Sequence, residues 1–456
     1  MILLKNSGIY GVRRRMGDPS PALERICDSA GLTARAGVGK QRVQNDFDQI
    51  LPWGGFRRCN LGANGRVRAY FGEPGYQSDG EGGQVMVEIP RFYQLHLERE
   101  GWEYWLVSPR PQEGFRLSPA FLDARGELLD HIYVGAYLCA PDGRGGVVSA
   151  AGRYGRIRTD RPTWRGLCRA VGPRWGMVDA VFLCDVLQLL FTVEFATLDS
   201  QSVMTGLTDL PYSASFPLLL SEQGANRAVV AQEYARQFRP GQGIALGWEL
   251  GDNRVVPHAA VTGVTPLGGG RAAVSFDGPP ADLEAGMLLY SSLWINGGAD
   301  GVAASSGAAF ADAQGQSPIL WRGIENPYGN TWEWIDGINI LDLRPYVCTD
   351  PGAYSDCAIT GAYRMVNYLD SPTDEAPIVA WGEDPRLPFA RFPTRSGEDG
   401  GPGRYCGDFY WQRPGLRGVI FGGSWYNGSR AGIYCFSGWS APEMIHVNTG
   451  ARLLYR

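Results

Sequence analysis

Between residues 84 and 137 the chain alternates with a period of two. Val85, Val87 and Ile89 interleave with Met86 and Glu88, Gly101 separates 92–97 from 102–107, and 131–137 repeats the pattern, which predicts consecutive strands. A helical period takes over at 176–200. There Leu183, Val186, Leu187, Leu190, Phe191 and Phe195 recur at spacings of three and four behind a capping Asp179. Glu194 falls in or beside this stripe, where a buried carboxylate needs a partner. A shorter helix is predicted over 20–30, with Ser20 as cap, Pro21 in the first turn and Leu23, Ile26 and Cys27 as the apolar face.

From 221 to 296 the pattern changes to closely spaced short strands at 244–250, 259–264, 272–276 and 287–293. Residues 264–271 supply a glycine-rich hairpin turn. These strands predict a small β-barrel or β-sandwich inserted into a larger domain. The expected organisation is an N-terminal arm over 1–84, a main domain over 85–221 and 297–456, and the insert over 222–296. The Gly268–Gly270 triplet lacks the Gly-Lys-Ser/Thr that a phosphate loop requires. Residues 341–417, rich in Pro, Gly and acidic side chains, are expected to be solvated loops. Asp374, Glu375, Glu383 and Asp384 within them offer oxygen ligands for a structural calcium, without EF-hand order.

The last stretch, 421–456, keeps neither period. Tyr426, Ile433, Tyr434, Phe436, Trp439, Met444, Ile445 and His446 are scattered among small residues. That composition fits either a binding surface built from rigid rings or an irregular segment packed into a core.

At 456 residues, 44% hydrophobic and 20% charged, the chain can bury a large core. A net charge of -5 without a polybasic tract argues against nucleic acid and anionic membrane as partners. Nine scattered cysteines with no C-x-x-C pair signal no zinc site and no disulfide framework, although Cys348 and Cys357 are close enough in sequence to bridge. His96 and His131 each stand alone in a strand and are expected to be structural. No run of 18 apolar residues and no signal-peptide order occur, so membrane insertion is not expected.

Two motifs carry a family resemblance. Tyr328-Gly329-Asn330-Thr331-Trp332-Glu333-Trp334 resembles the "GN-x-WEW" strand of formylglycine-generating enzymes and their relatives. Gly422-Gly423-Ser424-Trp425, followed by Arg430 and Gly450-Ala451-Arg452, resembles their "GGSW … R … GFR" ending. The resemblance is closer still to the variable proteins of diversity-generating retroelements, a group that includes phage tail receptor-binding proteins of the major tropism determinant kind. It implies an α+β, C-type lectin-type fold. It also implies a non-catalytic hypervariable protein that binds a macromolecular ligand, a protein or a cell-surface receptor, on a virion tail or in a bacterial cell and compatible with a homo-oligomer. The exposed diversified set would be Tyr426, Ile433, Tyr434, Cys435, Phe436, Gly438, Trp439, Glu443, Met444, Ile445, His446, Val447 and Asn448. Trp332, Glu333, Trp334, Gly422, Gly423, Ser424, Trp425, Arg430, Gly450, Ala451 and Arg452 would be fixed framework. Family diversification acts mainly on asparagine codons, which cannot yield Trp, Met or Glu, so Trp439, Glu443 and Met444 would come from other adenine-bearing codons. Two alternatives remain: a divergent enzyme of the formylglycine-generating class and an invariant tail component. The enzymes' copper-binding cysteines would align with Asn427 and Gly432, neither of which offers sulfur, and no cofactor is expected.

Overall fold

The computed structural model describes residues 7–456 apart from 124, 213–215, 252–253 and 402, and it does not describe the side chain of Asp374. The protein is β-rich, with 38% of residues in strands and 11% in helices. No helix among the described residues is long and apolar enough to cross a membrane.

Three sheets form the main body. The first has the order Glu24–Cys27, Tyr10–Arg15, Trp102–Ser108, Tyr93–Arg99 and Arg116–Leu117. The second runs Trp175–Met177, Leu453–Tyr455, His131–Gly135, Gln84–Pro90, Arg57–Leu61 and Val67–Tyr70. The third is built on Trp332–Leu341, which pairs antiparallel with Leu416–Phe421 and Arg344–Val347 and parallel with Thr449–Gly450. Residues 7–84 are therefore not a separate arm, because their strands pair inside the first two sheets and bury Val12, Trp53, Cys59 and Leu61 completely.

The predicted long helix lies at the centre. Asp179 accepts a hydrogen bond from the Phe182 amide at 3.0 Å, and the helical path runs through Ala180–Phe182, a widened turn at Leu183–Gln188 and Leu189–Phe195. Ala196 ends it in the left-handed region (φ 53°). The apolar stripe packs against the first and third sheets and shares one core with Val85, Val87 and Ile132 of the second. Glu194 is fully buried. Its oxygens accept from Arg322 Nε and Nη2 (2.8 Å each), Trp321 Nε1 (2.8 Å) and Asn45 Nδ2 (2.7 Å), so each is satisfied.

The helix predicted over 20–30 is instead the edge strand Glu24–Cys27. Pairing with Tyr10–Arg15, and the hydrogen bond from Leu23 N to Ala196 O, outweigh the local cap-and-proline signal. The stretch 341–417 is not simply loops: Arg344–Val347, Thr373–Trp381, Pro393–Ser396 and Phe409–Gln412 all join sheets. Three of its carboxylates have side-chain partners. Glu375 pairs with Arg430, Glu383 with His96 and Arg391, and Asp384 with Arg386. Cys348 and Cys357 are free thiols.

Residues 216–291 form a six-stranded antiparallel sheet with its own apolar core, including Phe216, Ile244, Leu246, Val274 and Leu289. The hairpin between Arg254–Gly268 and Arg271–Phe276 closes through Gly268 opposite Arg271. The first strand of this sheet, Phe216–Pro217, precedes the boundary expected at 222.

His96 sits between two carboxylates, with Nε2 3.0 Å from Glu103 and Nδ1 3.2 Å from Glu383. Burial opposes charge on Glu103, but Arg391, His96 and Arg14 outweigh it and hold the carboxyl well below its ordinary value of 4.5. A depressed carboxyl contributes stability above its unfolded value and loses it as pH falls. Acid unfolding below about pH 4.5 is therefore expected to be shallower in Glu103→Gln than in the wild type, measured by urea titration at stepped pH. Arg322→Met is expected to cost about 3–5 kcal/mol by leaving the buried Glu194 without its cationic partner, with Glu194→Met/Arg322→Met recovering most of it.

Candidate ligand-binding face

The two sequence motifs meet in space and build one frame. Gly329 N donates to Gly422 O (3.0 Å), and Trp425 N donates to Asn330 O (3.1 Å). The Asn330 side chain accepts from Trp294 N at 2.8 Å. Gly423 adopts φ 77°, and a Cβ there would lie 2.5 Å from the Ala431 Cβ, so only glycine lets this turn close. Ser424 donates through N and Oγ to Asn427 Oδ1 (2.8 and 2.7 Å). Trp425 fills a pocket with Leu207, Leu210, Leu293 and Trp294.

Glu333 and Arg452 join the motifs through a buried ion pair, with Arg452 Nη2 2.8 Å from Glu333 Oε1. The same guanidinium donates to the carbonyls of Gly135 and Ala136 (3.0 and 3.2 Å) and of Glu325 and Asn326 (3.0 and 3.2 Å). Trp332 and Trp334 flank Glu333 and are buried together with Ile420 and Leu453. Ala451 O accepts from Cys139 N at 3.0 Å, and Gly450 lies beside Glu333 in the parallel pairing. Arg430 differs from the other motif residues: its side chain is half exposed and pairs with Glu375 at the surface.

Above this frame the chain exposes Tyr426 (41%), Met444 (37%), Ile445 (60%) and Glu443, with Trp439, His446 and Val447 half-buried. Tyr426, Trp439 and His446 line a concavity of about 340 Å³, whose floor includes Trp332, Trp411 and Ile420 and whose edge carries the Glu375–Arg430 pair. Trp332 and Trp411 meet edge to face at 5.4 Å. The Arg413 guanidinium lies 3.2 Å from the centre of the Trp439 ring. His446 Nε2 is 3.0 Å from Ser440 Oγ, and burial lowers its pKa from 6.5, so the imidazole is neutral at pH 7. The inserted sheet borders this face. Tyr212 stacks on Tyr426 (5.0 Å, 18°), and Arg158 bonds His446 O through its amide and Gly251 O through its guanidinium (3.0 and 2.6 Å).

Six of the residues expected to be exposed are not. Ile433 is buried, with its amide bonded to Ser200 Oγ at 3.1 Å. Tyr434 is buried, its amide donating to Asp408 at 2.7 Å and its hydroxyl bonded to Thr192. Cys435 lies inside with Trp332 and Trp334, and desolvation pushes its thiol well above 9.0. Phe436 packs against Phe392 and Tyr410. At Gly438 a Cβ would fall 1.9 Å from Gln412 Oε1, so no other residue fits there without a shift. Asn448 belongs to the frame: its carbonyl accepts from Trp332 N (2.9 Å), and its side chain donates to Ser424 Oγ and Tyr426 OH (3.1 and 3.2 Å). A sheet strand at Phe436–Gly438, paired on both sides, forces Phe436 and Gly438 inward. Trp411 and Tyr212 were missed as contributors. Trp411 was marked only by the aromatic run Phe409-Tyr410-Trp411 inside a segment expected to be loop, and nothing in the sequence marked Tyr212.

No protein-family model matches the chain, and a search of curated proteins finds no match.

Met444→Ala and Ile445→Ala are each expected to change unfolding free energy by no more than about 0.5 kcal/mol. Tyr434→Ala is expected to cost about 3 kcal/mol or more, with urea denaturation as the measurement for all three.

Proposed function

We propose that this chain is a non-catalytic ligand- or receptor-binding protein with a C-type lectin-type frame. Its C-terminal face displays side chains rewritten by a diversity-generating retroelement. One observation carries this reading: within residues 422–452, the motif residues other than Arg430 are locked into the core while Tyr426, Trp439, Glu443, Met444, Ile445, His446 and Val447 stand at or near the surface around an aromatic-lined concavity. Substitutions that point to solvent cost little stability, so such a face can change its ligand without refolding the frame. Tyr426 and Trp439 supply the rigid rings that dominate contact energy at protein interfaces, which favours a protein or cell-surface receptor as ligand.

The enzyme reading has less support. Asn427 and Gly432 occupy the positions where the related oxidases carry copper-binding cysteines. The thiol nearest to them in sequence, Cys435, is buried and strongly disfavoured as a thiolate, the form that binds metal. Stoichiometric copper or iron in the purified protein would favour the enzyme.

Comparing the locus across isolates tests the proposal. Differences are expected to cluster in the codons of Tyr426, Trp439, Glu443, Met444, Ile445, His446 and Val447, to spare 433–436, 438 and 448, and to be matched by a template copy beside a reverse transcriptase gene. Differences scattered evenly along the gene, or an invariant C-terminal segment, would contradict it.

A further inference from the structure

A second concavity, of about 430 Å³, opens where the inserted sheet meets the main body. Pro141, Arg153, Tyr154 and Ile157 line it from the main body. Arg254, Pro257 and His258, at the start of the strand Arg254–Gly268, line it from the insert, and the buried Leu293 forms its floor. Its volume is in the range that small-molecule ligands occupy. It shares no lining residue with the concavity of the C-terminal face, so an occupant here is independent of the display reading.

Pro141, Tyr154, Ile157, Pro257 and Leu293 make the walls mainly apolar. Two guanidiniums stand among them, and among the described residues no carboxylate lines the cavity. Arg254 donates to main-chain carbonyls, Nε to Gly251 O and Nη1 to Pro257 O at 3.0 Å each. Arg153 is half-buried, and its bond from Nη1 to Pro141 O is long at 3.5 Å. Asp277, which touches the lining through Tyr154, is taken up by the Tyr154 hydroxyl (3.0 and 3.2 Å) and the Ala260 amide (2.6 Å). His258 adds no charge, because burial, and after it the field of Arg254, lowers the imidazole from 6.5 to about 3. Its Nδ1 meets Ser292 Oγ at 3.0 Å, while Nε2 is shut away from water and meets no partner, a rare deficit in a finished core.

Guanidiniums with no carboxylate beside them make the cavity positive, and its apolar walls favour an anion that brings an apolar body to bury. A carboxylate presents two coplanar oxygens that guanidinium forks match. With a single charge it also loses less hydration against such walls than a dianion does. We infer that this cavity binds a small monocarboxylate with an aryl or alkyl body, its carboxylate held between Arg153 and Arg254 and its body against Tyr154, Ile157 and Leu293. Such an occupant bridges the main body and the insert.

Titration calorimetry of the full chain at low ionic strength tests this with phenylacetate, acetate and benzyl alcohol. Saturable binding of phenylacetate is expected at a Kd of about 1 mM or tighter. Acetate, which lacks the body, and benzyl alcohol, which lacks the charge, should each bind at least about tenfold more weakly. Arg153→Gln should weaken phenylacetate about tenfold. The melting temperature of that variant without ligand should stay unchanged, because the side chain gives up only a long hydrogen bond. Arg153→Gln/Arg254→Gln should abolish binding, and saturating phenylacetate should raise the melting temperature of the wild type but not of this double variant. No saturation by phenylacetate, undiminished affinity in Arg153→Gln, or acetate or benzyl alcohol binding as tightly as phenylacetate would each overturn the inference.

Discussion

The ion pair between Glu333 and Arg452 is the constraint on which the C-terminal face rests. Desolvating two charges costs several kcal/mol per ion, and the pair is tolerable only because the remaining donors are also satisfied. Arg452 meets that condition by bonding the carbonyls of 135, 136, 325 and 326 as well as the carboxylate. One side chain thereby ties the second sheet, the turn after Trp321 and the Trp332 strand to the end of the chain. Removing either partner strands the other in an apolar layer with Trp334 and Leu453.

With both ends of the C-terminal segment pinned, its middle divides by geometry. Residues 436–438 enter the sheet between Leu416–Phe421 and Phe409–Gln412, and in the turn before them the buried Ser200 and Asp408 hold the amides of Ile433 and Tyr434. Residues 443–447 leave the sheet and are held mainly through their backbone, as in the bond from Arg158 N to His446 O. Backbone anchoring leaves side chains free to change, which is the physical content of the display reading. Tyr212, just ahead of the inserted sheet, stacks on Tyr426 and fixes one border of the face.

Much of this was legible in the sequence. The central helix declared itself through a 3.6-residue stripe and its Asp179 cap, the strands at 84–137 through alternation, and those of the insert through close spacing and a glycine-rich turn. The residues of the two motifs are buried together except for Arg430, whose long side chain reaches out to Glu375. Other features depend on partners distant in sequence. Glu194 finds Arg322, and the Tyr434 hydroxyl finds Thr192, pairings that no local pattern encodes. The strands within 341–417 are short and interrupted by Pro and acidic residues, so their periodicity is too brief to register. The burial of 433–436 depends on which sheet edge receives the strand, which composition does not carry.

Native-state amide hydrogen exchange tests the pinned frame most directly. The amides of Gly422, Trp425 and Trp332, which donate to Cys435 O, Asn330 O and Asn448 O, are predicted to exchange only through global unfolding. Those of 443–447 are predicted to exchange at least about a hundredfold faster, through local opening. Equal protection in both groups would mean that the face is part of the cooperative core, and the account of a fixed frame with a replaceable surface would fail.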